Sequence, residues 1–289
     1  MTAADPALTA EVLIEALPYI RRFRASTLVV KLGGNAMVEP RLAQTFADDI
    51  VLLQAVGIQV VVVHGGGPQI GELMARLGKE PEFREGLRVT DAETLDIARM
   101  VLLGKINSDI VASINVHGPL AVGLSGADAG LIVAGARDPE LGFVGDVVSV
   151  NPHIVERLLA EDLIPVVSTI GTDPTGQAYN INADTAAGAI AGALGAEKVV
   201  YLTDVAGLLR DLDDPSSLIA HITVPELEAL VDAGALGGGM LPKIRACLDA
   251  LAGGARSAHL LDGRVPHVLL LELFTDAGIG TMIEPEGQP

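Results

Sequence analysis

The sequence predicts an α/β fold built on a mostly parallel sheet, and three observations carry that prediction. Apolar runs of strand length alternate with amphipathic helical runs along the chain. The clearest run, Val60-Val-Val-Val63, lacks polar alternation, as expected of a strand covered on both faces. It passes through His64-Gly-Gly-Gly67-Pro68 into a helical pattern of Ile70, Leu73, Met74 and Leu77, closed by Gly78. Finally, small aliphatic residues must fill the core: 49% of the 289 residues are hydrophobic, but only 3% are aromatic and none is Trp.

Taken in order, residues 7–23 form an amphipathic helix with Leu8, Val12, Leu13, Ala16, Leu17 and Ile20 on one side. Pro18 is expected to kink it or start a new turn, and Arg21, Arg22 and Arg24 suit its C-terminus. This helix either packs on its own core or reaches a neighbouring subunit. Residues 27–32 are a strand with Lys31, Gly33 and Gly34 at its end, and a helix over about 41–56 stops at Gly57. Residues 83–89 read as a short extended segment. Asp91 caps two helical stretches reaching about Val116, with Thr94 three residues on. Residues 120–124 are a strand, 125–128 a turn, and 132–150 hairpins broken at Gly142 and Gly145. A helix over 152–160 and a buried strand over 164–168 follow. Asn180 to Asp184 leads into an Ala/Gly-rich helix over 185–194, then a strand over 198–202 and a turn from Thr203 to Gly207. Thr223 and Glu226 match a capping box, and Gly237-Gly-Gly239 precedes a helix containing Lys243. Strands near 257–261 and 279–283 close the chain. No internal repeat is present. A lobe boundary is expected near Ala187, dividing the chain into an N-terminal helix (1–24), a first lobe (25–187) and a second lobe (188–289).

The formal charge of −18, from 37 acidic and 19 basic residues, argues against nucleic acid as a partner, as does the scarcity of stacking aromatics. It also makes each well-placed lysine or arginine informative. Cys247 is the single cysteine, no basic leader precedes Asp5 and Glu11, and the uncharged stretch 110–127 is broken by Pro119 and several polar residues. A cytoplasmic protein with no membrane span is the expectation.

The usual motifs fail. Walker A is absent, the dinucleotide fingerprint misses by one place at Ile70, and the nucleophile elbow fails at Ala127. The six histidines show no metal-ligand spacing, so no metal site is assigned. What remains is phosphate-directed: Gly33-Gly34 and Gly65-Gly66-Gly67 offer N–H groups, Lys31 and Lys243 offer charge, and Asp184 is the nearby anion. The glycine triplet could equally be a tight turn, Lys31 could snorkel to solvent, and Asp184 could simply cap its helix.

Six segments occur in order: Lys31-Leu-Gly-Gly34, His64-Gly-Gly-Gly67, Gly86-Leu-Arg-Val-Thr90, Asn180-Ile-Asn-Ala-Asp184, Leu202-Thr-Asp-Val-Ala-Gly207 and Gly239-Met-Leu-Pro-Lys243. Together they resemble the amino acid kinase family and, within it, the acetylglutamate kinases. The resemblance implies an open three-layer αβα sandwich, with the acyl substrate N-acetyl-L-glutamate on the first lobe and ATP on the second. By that resemblance Lys31 and Lys243 stabilise the transferring phosphoryl group, Asp184 orients them, and Gly34 and Gly66 donate N–H groups to it. Gly66, Gly67, Arg88, Asn180 and Asn182 would hold the acyl substrate, with Arg88 on a carboxylate. Gly33, Gly34, Thr203, Asp204, Val205, Gly207 and Lys243 would serve the nucleotide, with Mg2+ carried mainly by its phosphates. The family often has Lys after the Gly123-Leu-Ser-Gly126 turn; here Ala127 follows, so that turn is given no catalytic duty.

Leu17-Pro-Tyr19-Ile20 and the segment from His267 through Glu272 to Gly278 and Thr281 resemble the arginine-sensitive, hexameric branch. That resemblance implies arginine as effector at Tyr19, Glu272 and Gly278, a trimer of dimers linked by N-terminal helices, and a PII-type nitrogen-signalling protein as a candidate partner. Glu272 on a solvated helix face is the plainer reading. Sibling kinases acting on acetylaminoadipate, glutamate, aspartate, carbamate or a nucleoside monophosphate stay open at this point, as does a non-catalytic ligand sensor; a dinucleotide-dependent dehydrogenase is the least supported.

Overall fold

A computed structural model describes residues 6–33, 39–84, 86–211, 214–234, 236, 240–275 and 278–287. In chain order the elements are α1 (Pro6–Phe23), β1 (Thr27–Leu32), α2 (Pro40–Ala55), β2 (Gln59–His64), α3 (Gly67–Arg76), β3 (Phe83–Arg84), β4 (Leu87–Arg88), α4 (Ala92–Arg99), a π-helical segment (Met100–Asn107), α5 (Ser108–Asn115), β5 (Ala121–Ser125), β6 (Ile132–Ala136), β7 (Val144–Val150), α6 (His153–Ala160), β8 (Ile164–Ser168), β9 (Ile170–Thr172), β10 (Ala178–Ile181), α7 (Ala183–Ala193), β11 (Lys198–Thr203), β12 (His221–Thr223), α8 (Val224–Asp232), α9 (Leu241–Ala252), β13 (Ala258–Asp262), α10 (Val268–Phe274) and β14 (Thr281–Glu284).

Among the described residues, eight strands form one sheet in the order β12-β14-β13-β11-β1-β2-β8-β5. Every pairing in it is parallel except β13 with β14. The unbroken apolar runs are explained by its two cores. Leu28, Val30, Val60 and Val62 face one core with α2, α3 and α10; Val29, Val61 and Val63 face the other with α7 and α9. Two helical layers therefore cover the sheet, giving the αβα sandwich. Beside it, β10, β7, β6 and β9 close into a small barrel, and β3 pairs with β4 in a short ribbon. The strand order splits at β1, which pairs with β2 on one side and β11 on the other. In open α/β sheets a ligand crevice forms at the carboxyl end of such a strand.

Four expectations change in detail. Helix α1 continues through Pro18, because Tyr19 and Phe23 pack on the core and hold the turns beyond it. The two helical stretches after Asp91 are one continuous run whose middle eight residues are π-helical. Gly145 lies inside β7, where a Cβ would sit 2.6 Å from Tyr179 Cβ, so it serves close packing and breaks nothing. Helix α10 and the short strands β9, β10 and β12 were not anticipated as separate elements; each has seven residues or fewer, too few to show a period.

Candidate active site

The site forms where strands end and helices begin. Lys31 lies one residue from the end of β1, on the same face as Val29, so it points towards α7. Asn182 caps α7: its Oδ1 accepts from the N–H groups of Asp184 and Thr185 at 2.8 and 3.1 Å. The cap is thus Asn182, and Asp184 is released for an ionic role in the first turn. Its Oδ1 lies 2.7 Å from Lys31 Nζ and its Oδ2 3.5 Å from Lys243 Nζ, which comes from the first turn of α9. Burial alone would push the Asp184 carboxyl up, but Lys31 and Lys243 together outweigh it and hold the group below the ordinary carboxylate range. Two cations on one buried carboxylate leave a local excess of positive charge in an anionic chain.

The glycine turn forms the opposite wall. Gly66 caps α3, and a Cβ there would overlap Ile106 Cδ1 and come within 2.8 Å of Leu102 Cδ2. Only glycine lets the turn lie flat on the π-helical segment. Gly65 packs against Ala183 at the start of α7, so the N-termini of α3 and α7 adjoin. Arg88, at the end of β4, donates from Nη2 to Gly67 O at 2.8 Å, and its Cζ sits 4.7 Å from the Phe83 ring centroid. Stacking and this bond fix the guanidinium plane, while its other donors can reach a ligand.

Lys31, Gly66, Gly67, Arg88, Asn180, Asn182 and Asp184 line one cavity of about 230 Å³, with Phe83, Leu87, Leu102 and Val144 as apolar wall. It suits a small anion bearing an apolar group. At the neighbouring strand ends, Gly33 passes so close to β11 that a Cβ would sit 2.9 Å from Leu202 O. Thr203 Oγ1 there accepts from Val205 N–H at 3.1 Å, and the backbone at Gly207 has φ 148° beside Thr281. Gly34 and Gly237-Gly-Gly239 lie outside the described residues. Among the described residues, no cluster of three His, Cys, Asp or Glu groups could hold a metal.

A second cavity, about 390 Å³, opens at the amino ends of β11 and β13 and includes Tyr19, Lys198, His259, Glu272 and Gly278. Glu272 is no solvated surface group: its side chain is 7% exposed, Oε1 lies 2.8 Å from His259 Nδ1, and Oε2 accepts from Ile279 N–H at 2.9 Å. His259 Nε2 in turn lies 2.9 Å from Lys198 Nζ. Burial would raise the Glu272 carboxyl, but bonding to His259 and to backbone N–H groups brings it below its usual value. Burial, aided by Arg22, lowers Lys198 to about 8. Sequence reasoning missed Lys198 and His259 as site residues. The signal was there: a lysine and a histidine inside apolar strands, where an unpaired polar group is costly.

The amino acid kinase family model matches residues 26–262. The chain belongs to the amino acid kinase family. Within it the chain groups with acetylglutamate kinases: it is 53% identical to that of Pelotomaculum thermopropionicum over 287 residues, covering 95% of this chain and 97% of the relative. It is 54% identical to that of Saccharopolyspora erythraea, covering 99% and 95%. Among solved structures, N-acetylglutamate synthase from Neisseria gonorrhoeae, complexed with coenzyme A and N-acetyl-glutamate, is similar at a TM-score of 0.84 and 28% identity. That match covers 96% of this chain but 64% of the synthase, so the chain spans just under two thirds of that protein's length. The same synthase complexed with coenzyme A and L-arginine matches at a TM-score of 0.81 and 29% identity, covering 96% of this chain and 65% of the synthase. No described helix is long and apolar enough to cross a membrane.

Proposed function

We propose that this chain transfers the γ-phosphoryl group of ATP to the side-chain carboxylate of N-acetyl-L-glutamate. The observation that carries the reading is the Lys31–Asp184–Lys243 group: Lys31 and Asp184 share one cavity with the glycine turn and Arg88, and Lys243 joins them through Asp184 from outside the cavity lining. The acceptor carboxylate has a pKa near ~4.3 and is ionised at pH 7, so no general base is required. The difficulty is bringing anion to anion and spreading charge in flight, which calls for positioning and cations. Arg88 clamps a substrate carboxylate, and Asn180 and Asn182 flank it. Lys31, Lys243 and the Gly66 N–H meet the charge on the transferred group, and Asp184 keeps both lysines aimed. Gly33 and residues 203–207 form the nucleotide side. Magnesium, bound through the nucleotide phosphates, would neutralise further charge. The first lobe (25–187) thus carries the acyl substrate and the second (188–289) the nucleotide.

The second cavity supports feedback inhibition by arginine. Buried Glu272 suits the effector's guanidinium and Lys198 its carboxylate, while Tyr19 of α1 closes one side. Inhibition requires arginine to favour a lobe-open state, since equal affinity for both states shifts nothing. Leu8, Val12, Leu13 and Ile14 of α1 are all more than half exposed, apolar surface suited to pairing with the same helix of another subunit. Hydroxylamine trapping of the acylphosphate tests the activity, run in parallel with acetylaminoadipate. Turnover of N-acetylglutamate with far weaker use of the longer acid is expected; no acylphosphate from either overturns the reading. Removing residues 1–17 spares Tyr19 and the buried Phe23. It should reduce the assembly measured by light scattering, and an unchanged size overturns the assembly role.

A further inference from the structure

His64 is the last residue of β2, wholly buried and one residue before the glycine turn. The phosphoryl-transfer reading gives it no part. Its surroundings are specific. Nδ1 lies 3.0 Å from Gly65 O, and Nε2 lies 3.1 Å from Asn107 Nδ2. A carbonyl only accepts, so Nδ1 carries the proton. Nε2 is then the acceptor for the Asn107 amide. The two contacts agree on one neutral tautomer, and burial, which pulls the imidazole down to about 4, keeps it neutral at physiological pH.

Asn107 is itself held. It ends the π-helical segment, donates to Val166 O of β8 at 2.8 Å, and its Oδ1 fills the space where a Cβ on Gly123 would lie. The same segment presses Leu102 and Ile106 onto Gly66. The turn is thus pinned at Gly65 O by His64, at Gly66 by two apolar side chains, and at Gly67 O by Arg88.

A trans peptide is planar, with its C=O and N–H pointing in opposite directions. Gly65 C=O and Gly66 N–H belong to one such unit. With the carbonyl turned towards the buried imidazole, the N–H points the other way. We infer that His64 is a positioning residue for phosphoryl transfer: by holding Gly65 O it aims the Gly66 N–H at the transferring group, with Asn107 fixing the tautomer that can do so. The inference rests on the kinase reading above. It assigns a role to residues that touch neither substrate.

The test compares wild type, His64→Asn and His64→Leu. Asparagine can place its amide donor near the Nδ1 position; leucine fills the space without a donor. A misaimed donor that acts only in the transition state lowers kcat with little change in KM. His64→Leu should lose on the order of 10²-fold in kcat, the scale of removing one oxyanion donor, with both KM values within threefold of wild type. His64→Asn should recover most of that loss. Equal kcat in wild type and a folded His64→Leu, or an Asn variant as impaired as Leu at the same melting temperature, overturns the inference. A second readout does not depend on turnover. The imidazole 15N shifts should report the Nδ1–H tautomer from pH 5 to 8. The Gly66 amide resonance should move on adding MgADP with aluminium fluoride in wild type, and much less in His64→Leu. The other tautomer, or an equal response in both proteins, also overturns it. Wild type inert towards N-acetylglutamate would remove the substrate assignment while the resonance test still decides the positioning role.

Discussion

At the carboxyl end of β1, Lys31 meets a carboxylate directly, at 2.7 Å; at the amino end of β11, Lys198 meets one only through an imidazole. Both lysines are buried in the same sheet, and Leu28 of β1 pairs with Lys198 itself. The difference lies in what shares the carboxylate. Asp184 is shared by two lysines and so is locked as an anion, leaving one cation in excess. Glu272 is shared by a neutral histidine and backbone N–H groups, and Lys198 is left close to its titration point. On the proposed function, the first arrangement would stabilise a charge that exists only in the transition state. The second has an anion and a cation held apart, which suits a zwitterion. On the proposed function, the opposite ends of these strands form a catalytic edge and a recognition edge, told apart by ion pairing and not by residue type.

The largest test breaks the first arrangement. Lys31→Ala should lower kcat by about 10²–10³-fold, the range for losing a transition-state donor, with small changes in KM. Asp184→Asn goes further, because it leaves two lysines facing each other without a buried anion. It should cost about 3–5 kcal/mol of stability as well as activity, checked by denaturant unfolding beside the hydroxamate assay. A stable Asp184→Asn protein with near-normal turnover would remove the contrast between the two edges.

The next effect separates binding from chemistry at the catalytic edge. Arg88→Ala removes a charge-assisted contact worth about 1.5–3 kcal/mol. It should raise KM for N-acetylglutamate by roughly 10–100-fold and leave KM for ATP near its original value. Because Arg88 also holds Gly67 O, a fall in kcat of up to tenfold is compatible; a parallel rise in both KM values is not.

Much of this was legible before any coordinates. The strands over 27–32 and 164–168 emerged with the expected bounds, because two-sided burial leaves a mostly apolar run without regular polar alternation. Asp91 and Thr223 cap their helices as read, since caps are local chemistry. Lys31, Lys243 and Asp184 were grouped from their places beside glycine turns and helix starts, but their catalytic roles followed from the resemblance; three residues spread over 213 positions show no spacing that would bring them together. The π-helical segment was not read from the sequence, because its residues give no signal that separates wide turns from α-helical ones, and the contact of Leu102 and Ile106 with Gly66 exists only in the fold. The chain of Lys198, His259 and Glu272 was missed for a similar reason: β11, β13 and α10 meet only in the fold.

A smaller effect concerns the recognition edge. Glu272→Gln keeps the shape and, with its one acceptor oxygen, either the His259 or the Ile279 contact but not both, and it removes the charge a guanidinium would pair with. Arginine should then inhibit at concentrations at least tenfold higher, with uninhibited kcat unchanged, because no substrate contact is involved. Loss of uninhibited activity in this variant would mean that the two edges are not separate.

The smallest effect uses the Lys198 ammonium, poised at about 8 by burial and by Arg22 against the pull of Glu272, Glu197 and Glu284. Its folded pKa lies below the ordinary lysine value of 10.5. Above pH 8 the folded chain therefore releases a proton that the unfolded chain keeps, up to about pH 10.5, and this group's contribution to stability rises with pH through that window. Effector binding moves the other way, since a carboxylate ligand needs the ammonium charged. From pH 7 to 9 the charged fraction drops from about nine-tenths to about one-tenth, so arginine should inhibit up to about tenfold less well. The effector's own amino group titrates in the same region. Lys198→Arg distinguishes the two sources, because a guanidinium stays charged throughout. Wild type should show the steeper loss of inhibition between pH 7 and 9, measured by arginine titration at each pH, and identical slopes in the two proteins would place the titrating group on the ligand.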